Sequence, residues 1–133
     1  LDSHTTDICM AYDGATWDLE ENPIEDTTLP FNGGPPRHWN CRSVLIPITK
    51  TFAELGIDAP EFSKGQRASA DGPIDGATSF DSFLERKGKA FQDEALGVGR
   101  AQLWRDGKIT LSQLLDQRGN PLSLAQLKAK YGK

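Results

Sequence analysis

Four residues near the start of the chain carry the side chains best suited to bind a metal ion or to act as a nucleophile. They are the only two cysteines, Cys9 and Cys41, and the only two histidines, His4 and His38. Thiolate and imidazole are the donors that Zn²⁺ prefers in proteins, and four such donors complete a tetrahedral site. One interpretation of these residues is therefore a zinc site formed by Cys9, His38 and Cys41, with His4 as the fourth ligand.

The spacing of these residues leaves other interpretations open. Neither a Cys-x-x-Cys pair nor any other spacing of a known zinc finger is present, and Asp2 or Asp7 is an alternative fourth ligand to His4. A disulfide between Cys9 and Cys41 is a second interpretation, because closing a loop of about 32 residues stabilises a fold by roughly 3–4 kcal/mol in the chain-entropy model. A third interpretation is two buried free thiols beside a hydrogen-bonded histidine, without metal or disulfide.

Catalysis by a cysteine–histidine pair is a further interpretation of the same residues. Arg37, His38 and Arg42 surround Cys41 in sequence, and positive neighbours lower the pKa of a thiol and so activate it as a nucleophile. No third residue that would orient the histidine is evident, so we assign no catalytic residue. The sequence favours a structural protein over an enzyme.

The charged residues are distributed unevenly along the chain. Residues 1–99 contain 8 Lys/Arg against 17 Asp/Glu, whereas residues 100–133 contain 7 against 2. A basic segment attached to an acidic body can bind nucleic acid or an acidic partner, or it can be a solvated helix that neutralises its own body. Five basic residues of this segment, called the basic tail below, are candidate contacts for DNA or a partner protein: Arg100, Arg105, Lys108, Lys128 and Lys130.

Length and composition predict one soluble folded domain. A chain of 133 residues with 37% hydrophobic residues can form a core and is unlike a disordered segment. It contains no apolar run of about 18 residues, so we predict no membrane span and no membrane partner. The chain begins at Leu1 rather than at Met, and we expect it to be a fragment of a longer protein.

Local sequence signals predict three regions within this domain. Residues 1–55 are predicted to be the strand- and loop-rich Cys/His region, with a hairpin turn at Asp13-Gly14 and a short apolar strand over residues 43–48. Residues 56–77 are rich in glycine and proline and predict a loop or linker.

The third region, residues 78–133, is predicted to be helical. Gly88 is expected to divide the first helical stretch, and capping boxes are expected at Thr110 with Gln113 and at Ser123 with Gln126. The predicted fold is therefore α+β, with a small antiparallel sheet in the N-terminal third (residues 5–48), a long loop and a helical C-terminal half.

Two motifs in a fixed order resemble those of the Mu F-like phage head morphogenesis (minor head protein) family. The tail of the chain also resembles the end of many members, so the matched segments span nearly the whole chain. Ser43 stands where members often have a second cysteine, and His4 stands where they often have arginine. The matching residues are Leu1-Asp2-Ser3-x-Thr5-Thr6-x-x-Cys9, Asp13-Gly14, Pro35-Pro36-x-His38-x-Asn40-Cys41-Arg42-Ser43, Leu96-Gly97-x-Gly99-Arg100, Leu103-Trp104-Arg105-x-Gly107-Lys108-Ile109-Thr110-Leu111 and Pro121-Leu122-Ser123-Leu124.

This resemblance implies a minor structural protein of a tailed-phage or prophage head. It implies protein–protein contact with portal or capsid proteins, contact with packaged DNA in some members, and a location in the virion and, during assembly, in the host cytoplasm. The alternative function is a zinc-dependent hydrolase or transferase, or a toxin-like effector domain. Such an enzyme would need an open zinc position with a carboxylate base beside it.

Overall fold

Helices occupy most of the C-terminal half in the computed structural model, which describes residues 1–61 and 65–132. Glycines separate them: Gly88 precedes the second of these helices, as predicted, and Gly97, with a φ of 79°, ends it and begins the next. A left-handed φ is available to glycine without steric cost, so the chain changes direction there. The helices are α2 (Phe80–Glu85), α3 (Lys89–Leu96), α4 (Val98–Arg105), a 3₁₀ helix (Leu111–Leu114) and α5 (Leu124–Tyr131).

Both predicted capping boxes are confirmed. The Ser123 hydroxyl accepts a hydrogen bond from the backbone N–H of Gln126, whose side chain accepts one from the Ser123 N–H, at the start of α5. Thr110 and Gln113 form the equivalent pair at the 3₁₀ helix. These bonds satisfy N–H groups that have no partner inside the helix, and the signal is local, which is why the sequence reveals it.

The small antiparallel sheet lies elsewhere than predicted. It is a hairpin of β1 (Gln66–Ser69) and β2 (Gly72–Asp75), with Arg67 opposite Ile74. It therefore falls within residues 56–77, where a loop or linker was predicted, and that prediction is wrong for residues 66–75. Arg67 and Ile74 are half-buried while their neighbours in the strands are exposed, so tertiary contact on one face stabilises a strand pair of low intrinsic propensity.

The predicted sheet over residues 5–48 is wrong. A short helix, α1 (Asp7–Ala11), replaces its first strand, and residues 43–48 form neither a strand nor a helix. Asp13-Gly14 belongs to the turn that follows α1 rather than to a hairpin. The apolar run from Ile8 to Ala11 fits a strand or a helix equally well by periodicity, and the Thr6 hydroxyl, which accepts from the Cys9 N–H, caps it as a helix.

The main core joins α1 to the C-terminal helices. Met10 is buried in one cluster with residues of the helical half that include Phe80, Leu84, Leu114 and Leu127. A second, smaller cluster places Ala11 against residues of the following loop and of the 3₁₀ helix end. The predicted α+β class, with its small antiparallel sheet and helical C-terminal half, is confirmed. No helix in the described residues is long and apolar enough to cross a membrane.

Asp13 ties three parts of the fold together. One carboxylate oxygen accepts a hydrogen bond of 2.6 Å from the backbone N–H of Phe80 at the start of α2. The two oxygens also accept from both terminal nitrogens of Arg67 on β1, and Arg67 in turn donates to the carbonyl of Thr78. The turn after α1, which carries Asp13, is thereby attached to the hairpin and to the helical half.

Candidate metal centre

α1 and a turn near residue 40 position the three predicted donors. Cys9 lies on α1, beside Met10, which is buried in the core. In the turn, the N–H of Cys41 donates to the carbonyl of His38, and Asn40 adopts a left-handed φ of 58°. Asparagine tolerates this conformation better than most residues, and the turn lets His38 and Cys41 approach the same point.

The three donors lie close enough to bind a metal ion. The Sγ of Cys9 is 3.0 Å from the Nε2 of His38 and 3.9 Å from the Sγ of Cys41. All three donor atoms lie within 4.8 Å of one another, and each residue is half-buried. Two thiols and an imidazole are a donor set typical of zinc sites.

A backbone contact orients the His38 ring for binding. Its Nδ1 lies 2.7 Å from the carbonyl oxygen of Trp39. A carbonyl can only accept, so Nδ1 carries the proton and Nε2 presents its lone pair to the sulfur atoms in the neutral ring. Such a contact to the far nitrogen is the usual way in which proteins hold a metal-binding histidine. Here Nε2 accepts hydrogen bonds from the hydroxyl of Thr6 at 3.1 Å and from the thiol of Cys9.

The environment of Cys41 favours the thiolate. The backbone N–H of Arg37, and then that of Ser43, donate to its sulfur and lower the pKa of Cys41 to about 7, although partial burial opposes the shift. The hydroxyl of Ser43 also donates to the sulfur of Cys9 at 3.3 Å. A thiol must lose its proton to bind a metal ion, so these donors prepare the site for one.

The structure contains both cysteines as free thiols. Their sulfur atoms are 3.9 Å apart, well beyond the bonded distance of about 2.05 Å. The two sulfurs are nevertheless neighbours, so the site could also be closed by oxidation. The free-thiol arrangement matches the third interpretation except that both cysteines are half-buried rather than fully buried.

The predicted fourth ligands lie outside the group of three. His4 is exposed, and its backbone N–H donates to a carboxylate oxygen of Asp2. The other oxygen of Asp2 accepts from Arg42 at 2.8 Å, which holds the pKa of Asp2 below its ordinary value. Asp7 is paired with Arg100. In the described residues the group therefore has three members, and the identity of a fourth ligand stays a prediction.

Two arginines attach the turn to the N-terminal segment. Arg42 forms the ion pair with Asp2, and the guanidinium of Arg37 lies 3.9 Å from the centre of the Tyr12 ring. The sequence indicates these arginines as possible activators of Cys41 but does not reveal their contacts with Asp2 and Tyr12. The only sequence signal for those contacts is the position of both arginines beside His38 and Cys41.

The basic tail divides into internal and exposed residues. Arg100 pairs with Asp7 and donates to the carbonyl of Leu122, while Arg105 pairs with Asp93 at 2.9 Å. Both arginines are half-buried. The other three, called the tail lysines below, are exposed and form no ion pair within the described chain: Lys108, Lys128 and Lys130.

The best-defined cleft of the described chain does not include the three donors. It has a volume of about 310 Å³ and lies between the loop that follows α1, the start of α2 and the 3₁₀ helix. Asp13, Asp26 and Asp81 are among its lining residues, whereas Cys9, His38 and Cys41 are not. The Cys/His group therefore lies outside this cleft.

Comparison with known proteins finds no match: no family model, no curated protein and no solved structure is significantly similar to this chain.

Proposed function

We propose that this chain is a structural protein of a tailed-phage or prophage head, in which a Zn²⁺ ion bound by Cys9, His38 and Cys41 fixes an exposed turn for contact with other proteins. One observation carries the proposal. Two thiols and an imidazole, from two segments about thirty residues apart, converge within 4.8 Å at the surface. The two segments contain the two motifs whose order resembles that of the minor head protein family.

A metal ion would supply the stability that the turn otherwise lacks. Residues 32–34, 36, 39–40 and 42–50 are exposed, and no buried hydrophobic residue lies between positions 33 and 61. Surface ion pairs such as Arg42–Asp2 contribute about 0–1 kcal/mol. Structural zinc sites contribute far more to folding, about 10 kcal/mol or more in zinc-finger peptides. With three protein donors, the fourth position would be filled by His4, by water or by a ligand from a partner.

The arrangement supports a structural role better than the alternative of a zinc hydrolase or transferase. Such an enzyme needs a carboxylate base at an open metal position. No carboxylate joins the group of three within the described chain, and Asp2 is engaged by Arg42. The cleft at the start of α2 also lies apart from the donors.

The partners we propose are portal or capsid proteins, and the place of action is the assembling and mature phage head. Three features support a role in binding other proteins: the exposed turn, the apolar residues that follow it and the order of the motifs. Contact with packaged DNA through the tail lysines is compatible with this role, because those three side chains are exposed. The two arginines of the basic tail are occupied by Asp7 and Asp93 and would contribute less.

Metal analysis tests the zinc site directly. The protein is expressed with Zn²⁺, dialysed and analysed for metal content, and Co²⁺ is then substituted to report coordination by thiolate in its visible spectrum. We expect one zinc per chain, and a loss of at least tenfold in affinity for Cys9→Ser, His38→Asn and Cys41→Ser. A protein that binds neither metal under reducing conditions would refute the zinc site.

His4→Asn serves as the matched comparison. If His4 is the fourth ligand, this variant changes the Co²⁺ spectrum and weakens binding. If water or a partner fills that position, the variant behaves as the unmodified protein does.

The role in the phage head is tested separately from the metal. Particles are purified on a density gradient from a lysate of cells that encode this chain, and peptides of the chain are quantified in the head fraction. We expect a few copies per particle that remain after a high-salt wash. Absence from purified heads would refute the role in the head and would leave the metal result unaffected.

A further inference from the structure

An exposed apolar segment follows the Cys/His group directly. Residues 44–50, called the apolar strip below, have the sequence Val-Leu-Ile-Pro-Ile-Thr-Lys. The exposed fractions of Val44, Leu45, Ile46 and Ile48 are 78%, 54%, 75% and 70%. Single exposed apolar residues are ordinary on a protein surface, but a contiguous group of this kind marks an interaction site.

The backbone of the apolar strip has no hydrogen-bond partner within the described chain. No residue from 44 to 50 belongs to a helix, strand or turn, and none donates or accepts a backbone hydrogen bond. Three of the seven residues are Val or Ile and one is Thr, which are the β-branched types that favour strands. An extended segment with unpaired N–H and C=O groups is a ready template for pairing with another strand.

Leu45 has the lowest exposed fraction of the four apolar side chains Val44, Leu45, Ile46 and Ile48. Leu45 is less exposed than Val44 and Ile46 on either side, and its side chain packs closely over Gly34, where a Cβ atom would lie only 2.9 Å from it. Leu45 therefore anchors the strip to the preceding turn while Val44 and Ile46 face outward. A period of two residues is that of a β-strand.

Pro47 determines which edge of the strip can pair. In a strand, the backbone groups of residues 44, 46 and 48 point to one side, and those of 45 and 47 point to the other. Proline has no N–H, so the edge formed by residues 45 and 47 cannot make the full set of hydrogen bonds to a neighbouring strand. One edge, formed by residues 44, 46 and 48, is thus available, and the strip would become the outermost strand of a sheet.

The charges around the apolar strip identify the kind of partner. No Asp or Glu occurs between residues 27 and 53, while Lys50 ends the strip and Arg42 lies two residues before its start. Arg42 pairs with Asp2, but its side chain remains 69% exposed. Antiparallel pairing of two copies centred on Ile46 would place Arg42 of one copy opposite Lys50 of the other, and like charges directly opposite each other are destabilising. The strip therefore fits a different protein, with carboxylates near both ends of the strand that it pairs with.

We propose that the apolar strip binds by adding as an edge strand to an exposed sheet edge of a partner protein that carries acidic residues at both ends of the paired strand. The apolar strip would then be the surface that makes the protein contact of the proposed function, and this inference rests on that function. Strand addition obtains affinity from main-chain hydrogen bonds and specificity from alternate side chains. Cys41 lies three residues before the strip, so the donor group would orient it.

Cyclic β-hairpin peptides with one free edge of Val and Thr residues are suitable probes. One hairpin carries Glu at both ends of the free edge, and a matched hairpin carries Lys there. Binding to the full chain is measured by calorimetry, and amide hydrogen exchange locates the contact. We expect the Glu hairpin to protect the amides of residues 44, 46 and 48 and to bind at least tenfold more tightly than the Lys hairpin.

Two variants distinguish strand pairing from non-specific hydrophobic binding. Ile46→Pro removes one N–H from the pairing edge and is expected to weaken binding of the Glu hairpin at least tenfold. Because Ile46 forms no backbone hydrogen bond in the fold, the variant should keep the unfolding temperature of the unmodified protein. Leu55→Ser removes an apolar side chain of 53% exposure outside the strip and is expected to bind as the unmodified protein does.

Several outcomes would overturn this proposal. They are equal affinity for the two hairpins, protection outside residues 44–50, and no effect of Ile46→Pro. A dimer of the free protein in sedimentation velocity that Ile46→Pro abolishes would also overturn it, because the occupant would then be a second copy. Zinc binding without hairpin binding refutes the strip alone, whereas hairpin binding without zinc refutes the metal site alone.

Discussion

Replacing Asp13 with alanine tests how the segment that carries Cys9 is attached to the helical half. Asp13 accepts one hydrogen bond from the N–H of Phe80 and two from Arg67. Its side chain is 15% exposed and that of Arg67 is 32% exposed. The Asp13→Ala variant removes all three bonds and leaves the Phe80 N–H and the Arg67 guanidinium without this acceptor.

The structure sets the size of the expected effect. A hydrogen bond to a charged group contributes about 1.5–3 kcal/mol, and we take about 2 kcal/mol for the well-shielded bond from the Phe80 N–H. Solvent reaches the pair with Arg67, so its share is about 1 kcal/mol. The variant should therefore lose about 3 kcal/mol of unfolding free energy, which corresponds to a fall of about 10 °C in Tm for a domain of this length.

Urea unfolding followed by tryptophan fluorescence measures this loss. Asp13→Asn should lose about half as much, because its amide oxygen can still accept from the Phe80 N–H. A double-mutant cycle of Asp13→Asn with Arg67→Met should give a coupling energy of about 1 kcal/mol. Asp71→Asn is the control, since Asp71 is 58% exposed and a surface pair of this kind contributes about 0–1 kcal/mol. An Asp13→Ala variant as stable as this control would refute the reasoning.

Three further predictions follow from other contacts. Gly119→Ala should lower the free energy of unfolding in urea by about 2 kcal/mol, because Gly119 has a φ of +82° and a Cβ there would lie 2.6 Å from Asn32. Gly14→Ala should lower it by only about half as much, because Gly14 has a φ of +77° but no neighbour within 4 Å. In metal-free Cys9→Ser, the alkylation rate of Cys41 should rise with pH around a midpoint below that of an ordinary thiol, because the donors from Arg37 and Ser43 remain; a midpoint near the ordinary value of about 8.5 would contradict the proposed donors. If the chain binds DNA, the plot of log affinity against log salt should have a slope of about −2.7, since three tail lysines are available, and a slope of about −4.5 would indicate that the two tail arginines leave their ion pairs and contribute as well.

Local signals predicted the helical half well. The capping boxes and the Gly88 break were confirmed because each depends on residues within four positions of one another, where backbone hydrogen bonding and glycine conformation decide the outcome. The Asp13-Gly14 pair shows the limit of such signals. Its two residues are typical of a hairpin turn, but the Asp13 side chain instead accepts bonds from Phe80 and Arg67, which lie more than fifty residues away.

The candidate metal site was predictable for its chemistry and only partly for its geometry. The chain contains only two cysteines and two histidines, so its composition alone identifies the candidate ligands. The structure brings three of these four residues together. His4 lies outside the group of three because its segment is held by Asp2, whose own carboxylate is engaged by Arg42. Likewise, no local pattern shows that Arg100 and Arg105 are paired with carboxylates of other segments.

The sequence by itself determined the donor set, the caps at which the 3₁₀ helix and α5 begin, the break at Gly88 and the apolar character of residues 44–48, because these depend on side-chain chemistry and on neighbours along the chain. Tertiary structure alone decided that the sheet lies at residues 66–75 and that Cys9 meets His38 and Cys41, and it acted together with the local Thr6 cap to make residues 7–11 a helix. Each of those outcomes depends on contacts between distant segments: Met10 is buried in one cluster with residues of α2 and α5, and the Asp13–Arg67 bonds connect the turn after α1 to the hairpin. Short segments whose own preferences are balanced adopt the structure that buries their apolar side chains against the rest of the fold.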